Sequence, residues 1–276
     1  ICEGLVLHFR HIFKPQNVSC QAMNDTPNRM TTQKKIIFGL TFTTLIFVSM
    51  GLFSFFKKTP QITQTNRTID PYKDSSTNYI YNLLFCDNLE LYKQNLKEPY
   101  TFPFDILFSE NSSVTDLQKI IDDKNADPRI KVLAYNKQIL IGHKPVNKEL
   151  LAVIVEVGLD EGLDVLASFN DGTARYINQT GKILVWETRD DKKANEITTQ
   201  LFENSQNIVK QIGAWDKPRR PQPTKGNVRI TFLVSDGLYF GEGPMEVLFN
   251  DPMASPALTN ATELMQYLTQ KSLENK

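Results

Sequence analysis

Leu150-Leu-Ala-Val-Ile-Val-Glu-Val157, Leu163-Asp-Val-Leu-Ala-Ser-Phe169, Thr173-Ala-Arg-Tyr-Ile-Asn178 and Lys182-Ile-Leu-Val-Trp-Glu187 follow one another with only short turns between them. The runs are rich in β-branched and aromatic residues, the composition of strands. Asn170-Asp171-Gly172 and Thr180-Gly181 are tight-turn dipeptides and tripeptides of the kind that reverse a hairpin. Connections this short cannot carry a parallel crossover, so the strands must pair antiparallel as a meander. Residues 228–234 and 238–240 predict a further hairpin around Asp236-Gly237, with residues 245–249 as its extension.

Helical signals flank this sheet. Ser113 with Asp116 three residues on forms a capping box ahead of Leu117, Ile120 and Ile121. Asp127-Pro128 is a cap followed by proline at the first helical position, and Gly142 closes the helix that follows. Residues 194–212 place Ile197, Leu201, Ile208, Val209 and Ile212 on one face. Ser255-Pro256 opens a last helix bearing Leu258, Ala261, Leu264, Met265 and Leu268. Residues 79–86 (YIYNLLFC) and 104–108 read as short buried strands. The fold class expected is α+β, an antiparallel sheet of meander plus hairpin packed by helices, within one domain at 79–273.

Residues 36–56 (IIFGLTFTTLIFVSMGLFSFF) contain no ionisable side chain. As a helix they would reach roughly 30 Å, the thickness of a bilayer's hydrocarbon core. A single transmembrane helix is therefore expected ahead of the domain, with the lipid bilayer as its partner. Residues 57–78 are polar, carry Pro60 and Pro71, and read as a flexible tether. The chain begins with Ile1, and Met30 opens a short charged flank, 30–35, before the apolar run. Residues 1–29 thus read as an upstream extension or a disordered tail. Lys34 and Lys35 on one side nearly balance Lys57 and Lys58 on the other. A short N-terminus ahead of a first span more often stays in the cytoplasm, which places the domain outside it.

Lys plus Arg and Asp plus Glu both number 31, so no global field favours nucleic acid, and none is expected as a partner. Of three cysteines only Cys86 falls in the folded region, which excludes a disulfide framework there.

Tyr81-Asn-Leu-Leu-Phe-Cys-Asp87, Val153-Ile-Val-Glu-Val157, Gly162-Leu-Asp-Val-Leu-Ala167, Ala174-Arg-Tyr-Ile-Asn178 and Leu233-Val-Ser-Asp-Gly-Leu-Tyr-Phe-Gly-Glu-Gly-Pro244 together resemble a family of uncharacterised bacterial proteins. The resemblance spans residues 79–271. It implies a bacterial source, hence an inner-membrane location for the anchor, and it implies no activity, cofactor or catalytic residue.

The candidate chemistry is sparse. Asp236, Gly241, Glu242 and Gly243, with Glu156 from the meander, are the candidate ligand site: glycines let backbone approach a ligand, and the carboxylates could bind it. The competing reading is a hairpin with glycines of conformational use. Lys217-Pro218-Arg219-Arg220-Pro221-Gln-Pro223 is the candidate partner-binding loop, because PxxP spacing favours a polyproline conformation. Its alternative is a stiff connection. Cys86 and His143 could in principle pair as nucleophile and base, against a buried thiol and a surface imidazole. One Cys and one His cannot build a zinc site, and Glu156, Asp160, Glu161 and Asp164 lack calcium-loop spacing, so no metal or other cofactor is expected. The leading functional expectation is a non-enzymatic, membrane-anchored interaction module. The alternatives are an enzyme or small-ligand binder at the Asp236–Gly243 stretch, and a structural envelope component.

Overall fold

The computed structural model of the chain describes residues 68–274. Their sheet has six strands, β1 (Leu150–Gly158), β2 (Leu163–Phe169), β3 (Ala174–Ile177), β4 (Ile183–Trp186), β5 (Asn227–Val234) and β6 (Gly237–Pro244). They lie in the order β4-β3-β2-β1-β5-β6, every neighbouring pair antiparallel. The meander and the separate hairpin are as the turn residues require. Gly172 sits at φ +86°, where an L side chain is strained, and closes the β2–β3 turn.

The helices are α1 (Ser75–Leu83), α2 (Glu90–Lys93), α3 (Phe104–Phe108), α4 (Val114–Asp122), α5 (Pro128–Leu140), α6 (Lys192–Val209), α7 (Met245–Asn250) and α8 (Ala254–Glu274). Side chains alternate across a strand, and here both alternate sets are buried. Ala152, Ile154, Val165, Ala167, Phe169 and Ile177 pack in one core with Tyr81, Phe85, Leu107, Leu117, Ile120 and Leu133 of the α1–α5 region. The opposite set, including Val153, Val155, Leu166, Tyr176 and Ile230, is buried as well, on the face that takes α6 and α8. The result is three layers, helices on both sides of an antiparallel sheet.

Three strand expectations are corrected. Residues 79–86 belong largely to helix α1, whose cap, Asp74 accepting from the Thr77 amide at 2.7 Å, lies among residues read as tether. A short apolar run does not distinguish buried strand from buried helix, and here the cap decides. Residues 104–108 form α3, with the amides of Phe104 and Asp105 bonded to the Thr101 carbonyl. Residues 245–249 do not extend the hairpin, because the chain turns at Pro244 into α7.

The folded residues also begin earlier than 79. Ile69 and Tyr72 are buried, and Tyr72 Oη donates to the Leu163 carbonyl at 2.9 Å. The apolar run 36–56, the extension 1–29 and the flank 30–35 lie outside the described residues. Among the described residues no helix is long and apolar enough to cross a membrane.

Candidate functional site

β1, β5 and β6 place Glu156, Arg229 and Glu242 in one cross-strand row: Glu156 pairs with Arg229, and Arg229 with Glu242. Each is flanked by apolar or glycine residues whose side chains take the other face, so the three charges meet on the side that receives α1. Glu156 is wholly buried and accepts from Tyr81 Oη at 2.7 Å. Arg229 Nη1 lies 3.3 Å from Glu156 Oε2, and Arg229 Nε and Nη2 lie 2.9 and 2.8 Å from Glu242 Oε2. Burial pushes the Glu156 carboxyl above its ordinary range, with Arg229, Tyr81 and Arg219 pulling the other way.

The basic proline loop lies across this row as a strap. Arg229 also donates to the backbone carbonyls of Arg220 and Pro221, and Arg220 Nη1 approaches Glu242 Oε2 at 3.3 Å. Arg219 turns inward, with a side chain only 5% exposed. It bonds Asp87 Oδ2 and Asn82 Oδ1, each at 2.8 Å, and its guanidinium lies 3.9 Å over the Phe85 ring. Arg219 Nη1 is buried without a hydrogen-bond partner among the described residues. Trp215 Nε1 donates to the Pro218 carbonyl at 3.0 Å, and Pro223 is buried. Of the predicted partner surface, Pro218, Arg220 and Pro221 remain exposed while Arg219 is an internal anchor.

Asn82 joins the strap to the start of the domain. Its Oδ1 accepts from the Ile69 amide at 3.1 Å as well as from Arg219, and its Nδ2 donates to the Ile69 and Asn78 carbonyls at 2.8 Å each. Asn82→Ala removes all four bonds and leaves three backbone groups and a guanidinium to find others. Amide exchange at Ile69 and Tyr72 and tryptic cleavage after Arg219 should therefore accelerate together. Acceleration at one segment alone would show that Asn82 does not couple them.

The carboxylates predicted to converge do so only in part. Glu156 and Glu242 share Arg229. Asp236 lies in the turn at the other end of the hairpin, on the order of 20 Å along the strand from Glu242, and accepts from Tyr239 Oη at 2.9–3.0 Å. Gly241 and Gly243 are ordinary β6 positions. A Cβ at Gly243 would touch only the Leu248 side chain at 3.5 Å, so neither glycine marks a bulge or a cradle. Asp164 pairs across β1 with Val157 and so takes the face opposite Glu156, where Tyr176 Oη donates to it at 2.9 Å. Asp160 is exposed and pairs with Lys225. Among the described residues no group of three or more His, Cys, Asp or Glu side chains could hold a metal ion.

Cys86 and His143 do not form a pair. Cys86 is buried at a left-handed backbone position, φ 53°, and burial pushes its thiol up to about 12. His143 is exposed beyond the end of α5. The native chain at pH 8 should leave Cys86 unreacted with a thiol reagent on a timescale that consumes the same thiol in denaturant. Equal rates would contradict the buried placement.

The sequence reading missed Arg229, Tyr81, Asn82 and Asp87. A signal for one was present: Val228-Arg229-Ile230 and Val155-Glu156-Val157 each insert a lone charge, of opposite sign, into an otherwise apolar strand. The chain matches no protein-family model, no curated protein and no solved structure.

Proposed function

We propose that the chain is a single-pass, membrane-tethered interaction module of a bacterial inner membrane, with a non-enzymatic domain held outside the cytoplasm. The uncharged run 36–56 supports the tether, and the resemblance of residues 79–271 to a bacterial family supports the source. The observation that carries the module reading is the site itself. Glu156, Arg229, Glu242, Arg219 and Asp87 bind one another and clamp a surface loop, so their charges serve to shape a surface. Both faces of β1, β2 and β3 are buried, so these central strands present no face to a partner. The exposed Pro218, Arg220 and Pro221, displayed by the clamp beneath them, are the surface this reading assigns to a protein partner.

Membrane fractionation tests the tether: the full chain should stay in the pellet through an alkaline carbonate wash, and release into the supernatant would overturn it. A photo-crosslinker at Gln222 in intact cells tests the surface. One discrete adduct is expected, absent from a Pro218→Ala/Pro221→Ala variant, and blank lanes throughout would overturn the partner assignment.

A further inference from the structure

A second surface stands where the chain enters β1, at the end of that strand opposite Glu156. Where α5 ends, Leu140 is 41% exposed and Ile141 46%, and Val146 in the following loop is 95% exposed. This loop is pinned at its base. The His143 amide bonds the Gln138 carbonyl at 2.8 Å, Ser235 Oγ donates to the Asn147 carbonyl at 2.6 Å, and the Glu149 amide donates to Ser235 Oγ at 3.0 Å. Apolar side chains are thus held out in water by a fixed base.

The charge around them has one sign along the chain. From Pro128 to Lys148 the sequence has no carboxylate. Lys144 makes no ion pair among the described residues, and Lys148 lies over the Tyr239 ring at 4.9 Å. The bordering acids, Glu149 and Asp236, accept from the hydroxyls of Tyr135 and Tyr239. Exposed aliphatic side chains rimmed by lysines are the composition that enters the headgroup layer of an anionic bilayer.

We propose that residues 140–148 are a membrane-contact tip whose ligand is an anionic phospholipid surface. Leu140, Ile141 and Val146 enter the headgroup boundary, and Lys144 and Lys148 meet lipid phosphates. This rests on the tethered reading, which keeps a bilayer within reach. Residues 57–67, fully extended, span roughly 36–40 Å. The nine residues of β1 that separate the tip from the Glu156 end span roughly 27–30 Å, so the tether is long enough for the tip to touch the same membrane.

The test uses the full chain with Cys2 and Cys20 replaced by serine and Val146→Cys carrying an environment-sensitive fluorophore, while Cys86 stays buried. Reconstituted into nanodiscs of phosphatidylcholine with phosphatidylglycerol, the label should shift to the blue. It should keep its aqueous emission in phosphatidylcholine alone. Lys144→Glu or added salt should reduce the shift, and a label at Glu161→Cys, in the turn at the opposite end of β1, should show none. Aqueous emission in both discs, or equal shifts at both labels or in both lipids, would overturn the tip. Failure of the chain to co-purify with any disc would count against the tether instead. The tip is then read by adding phosphatidylglycerol vesicles to the labelled chain, where absence of the shift overturns it.

Discussion

Arg229→Ala should lower the unfolding free energy by about 3–5 kcal/mol, the range for removing one partner of a buried ion pair. Four groups lose their shared donor at once: the fully buried Glu156, Glu242 at 17% exposure, and the strap carbonyls of Arg220 and Pro221. For a domain of this size the midpoint should fall on the order of 10 °C or more. Denaturant unfolding followed by tryptophan emission measures it. A loss under about 1 kcal/mol, with unchanged tryptic cleavage after Arg219, would mean that Arg229 does not hold the strap.

Glu156→Gln should cost less, because Arg229 keeps Glu242 and both carbonyls. Its signature is in the pH dependence. Burial raises the folded-state Glu156 value above that of the unfolded chain. The wild type therefore has this group's contribution in full below the ordinary carboxylate range and loses it as pH rises through the raised value. The glutamine variant should lack that decline. A double-mutant cycle between positions 156 and 229 then isolates the pair from the strap contacts.

Gly158→Ala should cost about 2–3 kcal/mol, from overpacking at a place where backbone meets backbone. A Cβ at Gly158 would stand 2.3 Å from the Thr224 carbonyl oxygen and 2.8 Å from that of Pro223. Neither can swing aside as a side chain would, and the Gly226 amide already donates to the Gly158 carbonyl at 2.9 Å. The change should part the end of β1 from the end of the strap and raise exchange at Gly226. Gly213→Ala is the control, since nothing lies within 4 Å of a Cβ there. Equal stability of the two variants would refute the close approach.

The meander was legible because its signals are local. Asn170-Asp171-Gly172 turns the chain regardless of what packs against it, and Ser113 and Asp127 cap helices whose apolar faces repeat within one turn. Residues 79–86 and 104–108 were not legible, since mostly apolar runs of eight and five residues fit either periodicity. The cap that decided the first, Asp74, lies in a stretch polar enough to resemble a tether.

The candidate site divides the same way. That Glu156 and Glu242 are unusual could be read from their neighbours, and that both sit on strands followed from the turns. Their convergence on Arg229, the separation of Asp236 from them, and the inward turn of Arg219 depend on register and on which helix covers which face. By itself the sequence determined the α+β class, the antiparallel pairing and, within two residues, the starts of α4, α5, α6 and α8, because hydrogen bonds and rotamers between near neighbours set them. Only the tertiary structure decided which charges meet and which loop is clamped. A buried charge needs a partner wherever the chain can bring one, and sequence distance, 73 residues from Glu156 to Arg229, places no limit on that choice.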